Sequence, residues 1–177
     1  MGRSKRAKVT TPGKRTGTKR SDFRWTAPDG TIWASRFEYE VFVALKEQGY
    51  EVRKTTKEDS LRYTSGIVSG KCAECGSGRV VQERSFTADL FVSTEDGPKR
   101  NVDEPAGYYV EVKGYLRASR RSLLRAFRKA QPDVDLRLVI QRDYPVGKGT
   151  LVSWAGKYLK CPVHLWNGAL PQAWSRK

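Results

Sequence analysis

The sequence predicts one α/β or α+β domain built around a mixed central sheet flanked by helices. Three observations predict it. Helical periodicity and short apolar runs follow one another as helix, strands, helix, strand, helix, with no internal repeat. The chain has 177 residues, 38% hydrophobic and 11% aromatic, enough for a core without disulfide staples. Turn residues punctuate the runs, among them Gly49, the stretch Glu95, Asp96, Gly97, Pro98, and Pro132.

In chain order, residues 1–20 hold eight Lys/Arg and no acid. Residues 1–30 are therefore expected to be a basic, disordered arm that lies along phosphates, with the domain proper over 31–177. Folding is expected to start near Trp25 or Trp33. Ser35 and Glu38 form a capping box, Phe37, Val41, Phe42 and Leu45 recur at helical spacing, and Gly49 stops the run, predicting a helix over 35–48. Val52 opens a strand or extended link, and 54–70 reads as polar and irregular. Residues 71–78 form a tight turn. Strands are predicted over 80–83, 86–92 and 108–112, the last closed by Gly114. A helix over 119–129 carries an apolar stripe of Leu116, Leu123, Leu124 and Phe127. A buried strand over 136–141, a helix over 152–159 bearing Trp154 and Tyr158, and a short strand over 162–166 complete the domain.

Charge narrows the function. Thirty-four Lys/Arg against nineteen Asp/Glu give +15, which points to a polyanionic partner and excludes an acidic activator. Arg117, Arg121, Arg125 and Arg128 form a stripe opposite the apolar face of the second helix, and no acid falls in 119–131. With Arg120 and Lys129 they are the expected DNA-binding face. Three cysteines do not make a secreted disulfide framework, no apolar run is long enough to span a membrane, and the N-terminus lacks a signal-peptide core. An intracellular, cytoplasmic protein without a membrane partner is expected. P-loop, GxSxG and HExxH patterns are absent.

The sharpest chemistry lies between Phe86 and Gly114. Asp89 is one acid in an apolar run, and Glu111 and Lys113 share one face of a second strand, because residues i and i+2 point the same way. If the two strands pair as a hairpin, Asp89 comes within reach of Glu111. Two carboxylates and an ammonium on an apolar sheet need a partner. A divalent ion with oxygen ligands and retained waters fits, which describes Mg²⁺. A salt bridge of Glu111 with Lys113 or Arg137 is the structural alternative.

Asp89, Glu111 and Lys113 together resemble the PD-(D/E)xK nuclease signature. The longer stretches Phe86–Phe91 and Tyr109–Leu116, the basic helix after them, and Gln131–Ile140 resemble the phage endonuclease I family of Holliday-junction-resolving enzymes. Ser35, Arg36, Phe37 and Glu38, with Leu45, Gly49 and Tyr50, resemble that family's first helix, and Lys148, Gly149, Thr150, Ser153 and Trp154 match more loosely. The likeness runs from about residue 35 to 174. It departs from the family at Ala88, where a proline is usual, near Arg53, where an acid is usual and Glu51 is the nearby substitute, and over 56–84, which is longer and carries two cysteines.

The resemblance implies a restriction-endonuclease-like sheet and Mg²⁺- or Mn²⁺-dependent phosphodiester hydrolysis. Asp89, Glu111 and Glu38, rather than Glu40, would hold metal, with the Val112 carbonyl as a further ligand. Lys113 would orient or deprotonate water, or offset charge. It also implies a domain-swapped homodimer, with Glu38 from one chain completing the site of the other, acting on branched DNA such as a four-way junction in a phage-infected bacterial cell. The rivals are a nuclease of the same chemistry that degrades host DNA or cuts at a sequence, and a non-catalytic zinc-bearing nucleic-acid-binding protein.

Cys72 and Cys75 have zinc-knuckle spacing, and Cys161 stands in the same relation to His164, the only histidine. A structural Zn²⁺ on Cys72, Cys75, Cys161 and His164 is expected to pin an inserted 56–84 segment against the C-terminal region.

Overall fold

The structure, a computed structural model, describes residues 24–69, 76, 78–94 and 106–174. Most of the expected basic arm, and Cys72 and Cys75, lie outside the described residues. The first element is a hairpin of β1 (Trp25–Thr26) and β2 (Ile32–Trp33), turned by Asp29, which accepts from the Thr31 N–H and hydroxyl at 2.9 and 2.6 Å. The Trp25 ring stacks 4.9 Å from Tyr39, so structure reaches into the end of the expected 1–30 arm.

The first helix, α1 (Arg36–Glu47), starts where the Ser35 hydroxyl accepts from the Glu38 N–H at 3.2 Å. Gly49, at φ +82°, turns the chain beyond its end. Next come β3 (Val52–Lys54), β4 (Leu61–Ser69), β5 (Arg79–Phe86), β6 (Leu90–Ser93) and β7 (Gly107–Lys113). Then follow α2 (Ala118–Ala130), β8 (Leu136–Ile140), β9 (Pro145–Val146), β10 (Gly149–Thr150), α3 (Leu151–Tyr158) and β11 (Val163–Leu165). The central sheet has the order β11-β8-β7-β6-β3 and is mixed: β11, β8 and β7 run parallel, while β6 is antiparallel to both β7 and β3.

Two cores sandwich this sheet. Phe37, Val41 and Leu45 of α1 pack on Leu90, Val92, Tyr108, Val110, Val112 and Val139. On the other face, Leu116, Leu124 and Phe127 join Leu151, Leu159, Phe91, Tyr109, Leu136, Leu138 and Ile140. Alternating β7 residues thus serve opposite cores. Buried Arg137 stacks 3.4 Å from the Tyr108 ring centre and pairs with Asp135 at 2.9 Å, so it is not the partner of Glu111.

Two readings of the sequence change. Residues 61–69, expected to be irregular, form β4, which pairs with β5 as a separate two-stranded hairpin. Its alternation is short, Leu61 and Tyr63 buried against Arg62 and Thr64 exposed, and a bulge between Thr64 and Ile67, with Gly66 at φ +127°, breaks the period-two signal. The run 86–92 is two strands, not one. Phe86 ends the hairpin, stacking 4.4 Å from Phe127, and Leu90 begins the central sheet. The Ser60 and Thr87 hydroxyls, 2.6 Å apart, fasten the crossing. Between β6 and β7 the ends of the connection are joined by Thr94 N–H donating to the Ala106 carbonyl at 2.8 Å. Among the described residues no helix is long and apolar enough to cross a membrane.

Candidate active site

Backbone pairing places the two carboxylates. The β6–β7 register sets Leu90 opposite Val110, and the Asp89 N–H donates to the Val110 carbonyl at 3.1 Å, so Asp89 stands across from Glu111. From the other side the Thr55 N–H reaches the Asp89 carbonyl at 3.2 Å, and the Thr55 hydroxyl bonds the Ala88 carbonyl. Asp89 is therefore held by strands on both sides.

The side chains meet as the i, i+2 spacing predicts. Lys113 Nζ lies 2.7 Å from Asp89 Oδ2 and 3.3 Å from Glu111 Oε1. The Val112 N–H also donates to Asp89 Oδ2, at 2.7 Å. The contact Val112 makes here is through its amide, whereas the resemblance assigns a role to its carbonyl. Glu111 is fully buried, and its Oε2 has no hydrogen-bond partner among the described residues. Its Oε1 is taken by Arg120, whose Nη2 and Nε approach to 2.8 and 3.0 Å. Glu38, buried in the first turn of α1, is close enough to feel the charges of Asp89, Lys113 and Glu111. Glu40 instead pairs with Arg36 at 2.8 Å on the outer side of α1, Glu51 is exposed, and Arg53 binds Asp59 at 2.6 Å. The chain's own α1 brings Glu38 here, so the four groups gather within a single chain and no exchange of α1 is needed to do it.

Burial sets the electrostatics. It pushes the Glu111 carboxyl above its ordinary range, and the Asp89 charge adds to this, while Lys113 and Arg120 pull it back. Burial, with Asp89 and Glu111, likewise pushes Glu38 up to about 7. Burial alone would lower the Lys113 pKa, but Glu111 and Asp89 together outweigh it and hold the side chain as an ammonium. A charged lysine braced by carboxylates orients water and offsets developing negative charge. It is not a proton acceptor in this state.

The donor set bears on whether a divalent ion could bind here. Among the described residues no group of three or more His, Cys, Asp or Glu surrounds one point ready-made. Lys113 bridges the two carboxylates instead. Mg²⁺ is commonly bound by one or two carboxylates with several retained waters, and a buried carboxylate with one oxygen unpartnered suits it. Asp89 and Glu111 therefore fit such an ion, with Glu38 behind them.

The arginine stripe is divided, part of it engaged by the fold and part exposed. Arg120 belongs to the acidic site: besides Glu111 it reaches the Thr87 carbonyl at 3.4 Å and lies over the Phe86 ring. Arg128 donates to the carbonyls of Leu159, Val134 and Gln131 at 2.9, 2.6 and 3.2 Å, which makes it a structural clasp between α2 and the segments that follow. Arg121 donates to the Leu116 carbonyl at 2.8 Å and lies over Trp154. Arg117, Arg125 and Lys129 are exposed. Arg120 is the member of the site that sequence reading assigned elsewhere. A fully buried carboxylate nine residues upstream was the signal that a cation had to be near.

The expected zinc site lies partly outside the described residues, with Cys72 and Cys75. Its other two residues pack against different cores. Cys161 is buried in the core under α2, where burial pushes its thiol up to about 11. The His164 ring stands edge-on to Trp166 and Trp174, which belong to the core on the α1 side, and its Nε2 lies 2.7 Å from the Ala169 carbonyl.

Comparison with protein-family models, with curated proteins and with solved structures finds no match for this chain.

Proposed function

We propose that the chain is a divalent-metal-dependent endonuclease acting on branched DNA. The observation that carries the reading is the meeting of Asp89, Glu111 and Lys113 on one sheet face, with Glu111 buried and half unpartnered. A protein that only binds DNA gains nothing from burying such a group, because it costs stability. Asp89 and Glu111, with Glu38 behind them, would hold Mg²⁺ or Mn²⁺, and the Val112 carbonyl is the further ligand that the resemblance suggests. When bound, the ion supplies polarisation of the scissile phosphate and activation of water.

The chain's own residues do the rest. Lys113, hydrogen-bonded to Asp89 and ion-paired with Glu111, presents its ammonium to the attacking water or a phosphate oxygen, where charge builds as the bond forms. Arg120 fixes the Glu111 rotamer. The water oxygen bonds to phosphorus and gives up one proton to solvent, one P–O ester bond breaks, and the leaving oxygen gains a proton from solvent. A homodimer would suit paired cuts on a two-fold junction. A structural zinc ion on Cys72, Cys75, Cys161 and His164 is a separate reading, which elemental analysis of the purified protein tests. The test is cleavage of a four-way junction and of a matched linear duplex, each in Mg²⁺ and in EDTA. Mg²⁺-dependent cutting of the junction is expected. Cutting of the linear duplex at the same rate overturns the substrate, and no cutting of either overturns the activity.

A further inference from the structure

Beyond the acidic site, α2, α3 and the β9–β10 hairpin enclose an open groove of ≈ 530 Å³. Its lining includes Arg125, Lys148, Trp154, Lys157 and Tyr158, and no acid. Arg125, Lys148 and Lys157 are exposed, and none has an ion-pair partner among the described residues. The groove is therefore a concentrated positive surface on a domain that is basic overall.

Aromatic rings hold two of these cations in place. The Arg125 guanidinium lies over the Tyr158 ring at 4.6 Å, and Lys157 Nζ is 5.3 Å from the same centroid. Stacking on a ring face leaves the edge of a guanidinium, where its N–H donors lie, open to a ligand. Arg125 makes no hydrogen bond with another described residue, so that edge is available. Lys148 lies on the opposite wall, between β9 and β10. Three cations around one open trough, two of them pre-positioned, match a chain of phosphodiesters.

Position agrees with this. Arg120, on Glu111, and Arg125, in the groove, are five residues apart on α2 and so about 7.5 Å apart along its axis. The two side chains leave α2 about 140° apart around that axis, so the groove and the carboxylates lie on different sides of one helix, within the span of a single DNA segment. We propose that this groove is a phosphodiester subsite in which Arg125, Lys148 and Lys157 hold the sugar–phosphate backbone flanking the bond to be cut. The placement relative to the cut bond rests on the nuclease reading above, whereas the groove's charge and geometry do not.

The experiment compares the full chain with K148Q/K157Q in EDTA, so that nothing is cut. The probes are a four-way junction, a linear duplex and a single-stranded oligonucleotide. Loss of two phosphate contacts should flatten the slope of log K against log salt by about 1.8 on a duplex-type probe or about 1.4 on the single strand. The probe that shows the loss identifies the form of backbone held. The charge-conserving K148R/K157R variant should restore the slope, which a folding defect would not allow. Unchanged slopes on all three probes, or no DNA binding by the unaltered chain, overturn the subsite. A groove-dependent slope without Mg²⁺-dependent cutting leaves the subsite standing and overturns the nuclease. Cutting with unchanged slopes does the reverse.

Discussion

The ammonium of Lys113 lies 2.7 Å from Oδ2 of Asp89 and is the counter-charge that makes two neighbouring carboxylates tolerable on an apolar sheet. Removing it leaves Asp89 and Glu111 facing each other with Arg120 as the remaining cation. K113A should lower the single-turnover cleavage rate by roughly 10²–10³, the range for loss of one preorganised charge in an active site. It should also lower stability in EDTA more than in Mg²⁺, measured by thermal melts of the same variant. Ordinary turnover in K113A removes the lysine from the chemistry.

E111Q and D89N should abolish cleavage while junction affinity stays within about threefold, because carboxylates do not hold phosphates. Gel-shift titration in Ca²⁺ beside a cleavage assay in Mg²⁺ checks both. An equal fall in binding and cutting contradicts the division of labour.

The raised Glu38 and Glu111 carboxyls fix the sign of the pH dependence. Each has an ordinary value of 4.5 and a higher one in the folded chain. Below 4.5 both are protonated, folded or not, and burying them is at its cheapest. As pH rises towards about 7 the unfolded chain loses these protons first, so stability falls across that window. Melting temperature in EDTA should decrease from pH 4.5 to pH 7.5, the decrease should shrink in E111Q, and Mg²⁺ should oppose it at the upper end. A melting temperature that rises through the window contradicts the burial of Glu111.

Arg128 and Arg125 share one helix but should respond differently. R128A strips the Leu159, Gln131 and Val134 carbonyls of their donor and should cost about 1–3 kcal/mol in urea unfolding. R125A should cost about 0.5 kcal/mol or less and appear instead in the salt dependence of DNA binding.

The packing of α1 on its own sheet makes a mixing experiment decisive. Chains bearing E38Q refolded with chains bearing D89N should give heterodimers that do not nick a junction, since each site then carries one defect. Recovered nicking would show that α1 is exchanged between copies.

Much of the site was legible because strand parity is a strong constraint. Glu111 and Lys113 two apart, and one acid in the apolar run around Asp89, predicted a shared face before any packing was known. The Ser35–Glu38 cap fixed the start of α1 and hence the one acid of that helix that turns inward. Arg120 was legible in part: four residues from both Leu116 and Leu124, it lies on the inward face of α2, but helical periodicity does not say that Glu111 is what it meets there. Arg128 was misread for the related reason that a charged helix face looks alike whether it meets water or a row of carbonyls. The β4 strand was hidden because two buried positions followed by a bulge give too short a period to recognise. The turn at Thr87 was hidden because apolar residues continue on both sides of it.

The pairing of Thr94 with Ala106 closes the β6–β7 connection at its neck, and the facing of Asp89 and Glu111 is settled by rungs of the sheet below that neck. What the chain does between 94 and 106 therefore does not enter the spacing of the two carboxylates. The facing of the two carboxylates should survive any change that leaves the Thr94–Ala106 pair and the rungs below it intact.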